Sequence, residues 1–410
     1  MRLLLHSINF APELTGIGKV NGELVAWLAA RGHEVRVVTA PPYYPEWRVH
    51  AGHSAWRYTR TQACGAEVFR SPLWVPTNPG GGKRILHLAG FALTSLPNLA
   101  RQLMWRPDVI VVVEPPLFLA PGALLLARLT GARAWLHIQD FEVDAAFALG
   151  LLRNDTLRKI VRRAEAWLMR RFDGVSSISQ AMVARAGEYA DRTDVALLPN
   201  WVDCDHIRPL KGPNAYRQQL GLDATDVVAL YSGNLGRKQG IDLVVEAAGR
   251  LHAAGAKIRF LLCGRGVEYE DLRAATAGLP NVLWLPLQPY ERLPELLACA
   301  DIHLLPQKAT AADLVMPSKL PSMLASGRPV LATAEPDTEV ARMVAGCGEV
   351  VPPGSVATFV AALERLAADA ALRLDYGQAA RARALAEFSQ DTILQRFEAR
   401  VSEGLSGAVP

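Results

Sequence analysis

Short runs rich in leucine and β-branched residues alternate with helical patterns along nearly the whole chain, and this alternation restricts the fold more than any other feature. In the first half the strand candidates are Leu3–Ser7, Val35–Thr39, Glu67–Arg70, Val109–Val113, Ala134–Ile138, Val175–Ile178 and Val195–Leu198. Most are continuously apolar, which predicts strands covered on both faces by helices. Between them, the amphipathic stretches Val20–Ala30 and Ala120–Thr130 stop at Gly32 and Gly131; glycine just past a helix is a common C-terminal stop. A second series follows: Val227–Ser232, Ile258–Cys263, Val282–Leu285, Ile302–Leu305, Val330–Thr333 and Glu349–Val351, with helical patterns at Asp242–Leu251, Glu291–Cys299 and Ala357–Ala367. The polar, proline-bearing stretch Pro199–Pro213 separates the series and reads as an interdomain linker. The chain is therefore expected to be α/β, with two doubly wound Rossmann-like domains facing each other across a cleft. The expected boundaries are 1–200, 201–385, and a C-terminal helix and tail, 386–410, open to crossing back to the first domain.

The length of 410 residues agrees, because single cores stop growing at about 250–300 residues. Half the residues are hydrophobic and 20% charged, which excludes a disordered or fibrous chain. A formal charge of +4 is too small to suggest a nucleic-acid partner, but residues 1–200 carry +7 and the remainder −3. A basic front half hints at an anionic partner there. Five scattered cysteines without a C-x-x-C argue against a disulfide framework or structural zinc and fit a reducing cytoplasm. The apolar start Leu3-Leu4-Leu5 is broken at once by His6, Ser7 and Asn9, unlike a secretory signal. The longest uncharged apolar stretch, Ile85–Ala100, has 16 residues, short of the ~20 that span a bilayer. A soluble or membrane-associated protein is expected.

Four constellations carry candidate chemistry. The loop Asn9–Lys19 places Gly16 and Gly18 between the first strand and helix, where backbone approaches a ligand and helix amides meet an anion. A purely structural turn is the alternative. The spacing Gly16, Gly18, Gly22 is not the dinucleotide fingerprint, and Thr39 stands where an acidic ribose ligand would close strand two. In the equivalent place of the second domain, Ser232–Gly240 sets Arg237 and Lys238 in a glycine-rich loop before a helix. That combination makes a diphosphate clamp unless the two cations are merely solvated. The third is Asp313–Val330, where Ser318 reads as the cap of a helix that presents Lys319 in its first turn. A lysine there opposes the macrodipole unless an anion is bound or the side chain turns to solvent. The fourth, His137–Asp144, follows a strand, and His137, Asp140, Glu142 and Asp144 are candidates for orienting sugar hydroxyls or moving a proton. The alternatives are a satisfied core histidine and a helix-capping aspartate. Gly264 and Ser322 are carried beside these as binding candidates.

Two further features are weighed. Asp203-Cys204-Asp205 spells D-x-D, a metal motif elsewhere, but lies in the expected linker. Arg153–Arg171 carries seven cations and two acids on a helical pattern, and Lys83–Arg106 is apolar and bracketed by Lys83, Arg84, Arg101 and Arg106. Both read as membrane-surface helices, or as solvated faces packed on the sheet.

Together these residues resemble the retaining GT-B glycosyltransferases of family 4, nearest to the colanic-acid-type exopolysaccharide enzymes. The likeness rests on Pro12–Gly18, Arg31-Gly32-His33-Glu34-Val35, Ala40–Pro45, His137–Asp140, Leu198–Asp203, Ser232-Gly233-Asn234 with Lys238 and Gly240, Pro317–Leu320 and Ala325–Val330. It implies a nucleoside-diphosphate sugar held mainly by the second domain and a saccharide acceptor, expected to be polyprenyl-diphosphate-linked, held by the first. It implies Lys238 on the diphosphate, Gly16 and Gly18 at the diphosphate or transferred sugar, and His137 at that sugar. No cofactor or metal is expected. The family's arginine is Asn234 here, with Arg237 as substitute. Of its two glutamates eight apart, one position is Ser322 and the other Leu314, with Asp313 the stand-in carboxylate. A cytoplasmic enzyme, peripheral at an anionic membrane surface, is the expectation. The weighed alternatives are a non-catalytic nucleotide-sugar-binding relative and an epimerase of the same fold.

Overall fold

The computed structural model describes residues 1–77, 80–141, 155–223, 225–308 and 317–403. Chain contacts divide it into two compact units, Met1–Pro199 with Leu394–Pro410, and Asn200–Ile393. In the first unit β1 (Arg2–His6), β2 (Glu34–Thr39), β3 (Thr59–Ala63), β4 (Ala66–Arg70), β5 (Val109–Glu114), β6 (Arg133–Ile138), β7 (Gly174–Ser177) and β8 (Ala196–Leu197) form one sheet. Its order is β3-β4-β2-β1-β5-β6-β7-β8. Leu3 pairs with Val35 on one side and Val109 on the other, and all six residues of β5 are buried. This is why the central strands read as continuous apolar runs. All neighbours are parallel except β3 and β4.

The second unit holds β9 (Val227–Ser232), β10 (Ile258–Cys263), β11 (Val282–Leu285), β12 (Ile302–Leu305), β13 (Val330–Thr333) and β14 (Gly348–Val351). They are ordered β11-β10-β9-β12-β13-β14 and all parallel. In both sheets the order reverses beside the first strand, between β1 and β5 and between β9 and β12. Ligands of open α/β sheets bind beyond the strands' carboxyl ends at such switch points.

One expectation is corrected. The stretch Pro199–Pro213 is not a free linker from Asn200 onwards: Val202, Cys204 and Ile207 are buried in the second unit's core. The Arg381 guanidinium donates to the carbonyls of Cys204, Ile207 and Ala325 (2.8–2.9 Å), stitching the segment down. Asp203, half of the D-x-D, spends Oδ1 on the amides of Asp205 and His206, both at 2.9 Å, and so caps a turn. In the C-terminal helix Gln390–Ser402, the residues from Leu394 onwards pack with the first unit. Phe397 meets Trp135 edge-on at 6.4 Å, and Glu398 binds Arg31 at 2.9 Å and His33 at 2.6 Å.

Candidate active site

In the first unit the loop after β1 is held by one carboxylate. Glu13 is buried, and its Oε1 accepts from the amides of Tyr43 and Tyr44 (3.0 Å each) while Asn9 Nδ2 donates to Oε2 (3.0 Å). Burial raises its pKa, against the lowering effect of these donors. Beside it Arg70, at the end of β4, donates to the carbonyls of Ala40 (2.7 Å) and Ala11 (2.5 Å), and burial lowers its pKa to about 10. The loop and the Ala40–Pro45 turn, two separate motifs of the sequence, thus form one structure.

This changes the reading of the glycines. A side chain at Gly18 would strike the Glu13 carboxylate, so its glycine serves internal packing. Gly16 has φ +60° at the start of the helix Gly16–Ala30, is exposed, and has only the Tyr44 ring near where a Cβ would sit (3.4 Å). Gly16 is the one of the pair that leaves backbone open to a ligand.

At the end of β6, His137 is 8% exposed and lies opposite Ser176 of β7. Gln139 Nε2 donates to His137 Nε2 at 2.9 Å, which places the ring proton on Nδ1, facing Ser176 Oγ at 2.9 Å. Ser176 Oγ also accepts from Trp135 Nε1 at 2.8 Å. Burial lowers the histidine's pKa to about 4, and both nitrogens are engaged. The geometry is that of an oriented neutral imidazole, not of a free proton carrier. Asp140 stands half-exposed just beyond β6. Glu142, Asp144 and Asp313 lie outside the described residues.

In the second unit, β9 runs into Gly233 (φ +143°), the short turn Arg237–Gln239 and the helix Ile241–Ala253. Gly240 (φ +64°) precedes that helix, and no side-chain cap reaches its first amides among the described residues. The Gly240 backbone lies against Gln307 and Lys308, which follow β12, and Lys308 N donates to the Lys238 carbonyl at 3.2 Å. The loops flanking the switch point are therefore joined. Arg237 and Lys238 are exposed, and neither side chain has an ion pair or hydrogen bond among the described residues. Asn234 is exposed in the same loop, and its carbonyl accepts from the Tyr231 hydroxyl at 2.6 Å. Gly264 (φ +150°) is required by packing, because a Cβ there would collide with the Gly233 carbonyl.

Ser318 is not the helix cap expected from sequence. The helix spans Leu320–Ala325, Lys319 occupies its N-cap position, and Ser318 is exposed in the preceding turn. Lys319 does not turn to solvent either. Its ammonium is buried 3.9 Å above the Tyr231 ring, near Gly233, with no hydrogen-bond partner among the described residues. Burial lowers its pKa to about 7. Ser322 is half-buried one turn on. Sequence reasoning missed Tyr231 as the ring beneath this cation, and Glu13 with Arg70 as the loop clip. The signals available were a tyrosine closing an apolar strand and a carboxylate inside a glycine loop.

Two such parallel-sheet units are the architecture of the GT-B glycosyltransferases. The fold matches sucrose-phosphate synthase from Thermosynechococcus elongatus over 99% of this chain and 100% of that one, with TM-score 0.72 and 17% identity. It matches Anabaena HepE, solved with UDP and glucose, over 98% and 100%, with TM-score 0.67 and 17% identity. Residues 15–201 fit the family model "Glycosyl transferase 4-like domain" and residues 214–383 fit "Glycosyl transferases group 1". The putative colanic acid biosynthesis glycosyl transferase WcaI of Escherichia coli (strain K12) is 42% identical over 97% of this chain and 98% of its own. The 2-deoxystreptamine glucosyltransferase of Streptomyces kanamyceticus is 26% identical over 68% and 73%. The chain belongs to this family and is a glycosyltransferase.

Proposed function

We propose that the enzyme moves a sugar from a nucleoside diphosphate to a growing saccharide in exopolysaccharide assembly of the colanic-acid type, with the anomeric configuration retained. The observation that carries this reading is the set of cations at the β9 switch point, above all the buried Lys319 ammonium, which has no hydrogen-bond partner among the described residues. As the glycosidic bond breaks, negative charge grows on the leaving diphosphate. In this reading Lys319, Arg237, Lys238 and the first amides of Ile241–Ala253 receive that charge, each good donor lowering the barrier by about 3–4 kcal/mol. The neutralisation is assigned to these groups, without a metal cofactor. Asn234, Gly264, Ser318 and Ser322 frame the donor site. Gly16 supplies open backbone, and Asp140 orients hydroxyls beside His137, whose two ring nitrogens are taken up by Gln139 and Ser176. Asp313 stays the candidate carboxylate.

We further propose a lipid-linked acceptor and a peripheral seat on the cytoplasmic membrane face. No helix among the described residues is long and apolar enough to cross a bilayer. The helix Gly82–Trp105, however, exposes Leu86, Leu93, Leu96 and Leu103, with Lys83, Arg84 and Arg101 along the same helix. A thermal-shift panel of nucleotide sugars tests the donor assignment. A true donor at about 100 times its dissociation constant adds about 2.7 kcal/mol of stability, and a panel without any shift removes the assignment.

A further inference from the structure

In the first unit, the segment after β2 and the segment after β4 enclose an open pocket of about 310 Å³, walled by Trp47, Trp56 and Trp74 and rimmed by Glu46 and Arg48. Three of the chain's nine tryptophans meet here, and Trp56 and Trp74 are 74% and 44% exposed. Large aromatic surface left open in a concave site is a mark of ligand binding. The floor is firmly set. Trp47 packs on Tyr43 (5.5 Å) and His87 (5.3 Å), and His87 Nδ1 donates to the Trp74 carbonyl at 2.7 Å. Tyr43 is in turn fixed through its amide to Glu13, so the pocket adjoins the loop that carries Gly16.

We propose that this pocket is the subsite for a neutral pyranose unit of the acceptor, an inference that rests on the glycosyltransferase reading above. A pyranose has an apolar C–H face and a rim of hydroxyls. Indole faces cover the first without asking for hydrogen bonds. The rim hydroxyls need partners when water is removed, and the Glu46 carboxylate and Arg48 guanidinium supply an acceptor and donors there. One carboxylate and one guanidinium at the mouth leave it nearly neutral, which suits an uncharged sugar better than a phosphate. The concave form and the exposed Glu46 also weigh against insertion of these rings into an anionic bilayer.

The test uses the full chain labelled with 5-fluorotryptophan, the resonances of Trp56 and Trp74 being assigned with Trp56→Phe and Trp74→Phe. Methyl glycosides of glucose, galactose, mannose and fucose are titrated while fluorine spectra are recorded. The expected result is a saturable shift confined to those two resonances for at least one glycoside, weakened about tenfold or more in Trp56→Ala. No shift with any glycoside, or a response only to anionic phospholipid vesicles, overturns the subsite. Nucleotide-induced thermal shifts, measured on the same samples, separate the two claims. A nucleotide shift without a glycoside response sinks the subsite alone, whereas a glycoside response without a nucleotide shift removes the donor assignment.

Discussion

Lys319 is the residue whose environment departs furthest from its ordinary one. Its pKa stands at about 7 in the folded chain against 10.5 for a free lysine, so between those values the unfolded chain binds more protons. Its contribution to stability therefore rises with pH across that window, and below pH 7 the fold carries a buried ammonium. A bound diphosphate favours the protonated form and raises the pKa again. Affinity for a nucleotide sugar should then be greatest below pH 7 and fall by up to about tenfold per pH unit above it. Calorimetric titrations from pH 6 to 9 read this, and Lys319→Met should flatten the profile; an equally steep profile in the variant would contradict it. Glu13 yields a second outcome. Replacing it with alanine orphans two backbone amides and Asn9, which should lower unfolding free energy by about 1–3 kcal/mol in urea titrations. No loss would show that the clip contributes nothing. Neither environment was legible in sequence: Lys319 sat in a recognised motif, but its burial over Tyr231 depends on a partner 88 positions away in the chain.

At the scale of elements, the buried parallel strands were legible because both faces are covered, leaving long apolar runs such as Val109–Val113. The strand β3, Thr-Arg-Thr-Gln-Ala, was not. It is an exposed antiparallel edge joined to β4 by the turn Cys64-Gly65, both residues at positive φ. A polar edge strand has no hydrophobic period to detect, and a cysteine is an unusual occupant of such a turn. The helix Gly82–Trp105 was legible as an apolar stretch bracketed by cations, but which residues it hides was set by packing: His87, Phe91, Asn98 and Gln102 face inward while Leu93 and Met104 lie in water. If that exposed stripe seats the enzyme on lipid, Leu93→Glu should abolish co-sedimentation with anionic vesicles, and salt should weaken it in the parent protein. Equal sedimentation of parent and variant would refute the stripe's role.

At the scale of the whole molecule, two tandem βα arrays were enough to anticipate two parallel-sheet units, and the same alternation now appears as the orders 3-2-1-4-5-6 around β9 and its counterpart around β1. The units divide at Pro199/Asn200, and the sequence did not show that Val202, Cys204 and Ile207 join the second core, because those residues are spaced among aspartates. Glycines illustrate the same limit: nothing in the sequence shows that a Cβ at Gly18 would strike Glu13, or one at Gly264 the Gly233 carbonyl. Placing the donor's diphosphate on the second unit's cations is the claim on which the functional account turns. The most direct measurement is single-turnover sugar transfer by Lys238→Ala beside the parent enzyme, with nucleotide-sugar binding followed in parallel. The account predicts transfer slowed at least about a hundredfold with an unchanged unfolding midpoint, the loss of one charge-stabilising donor. Transfer at the parental rate would contradict it.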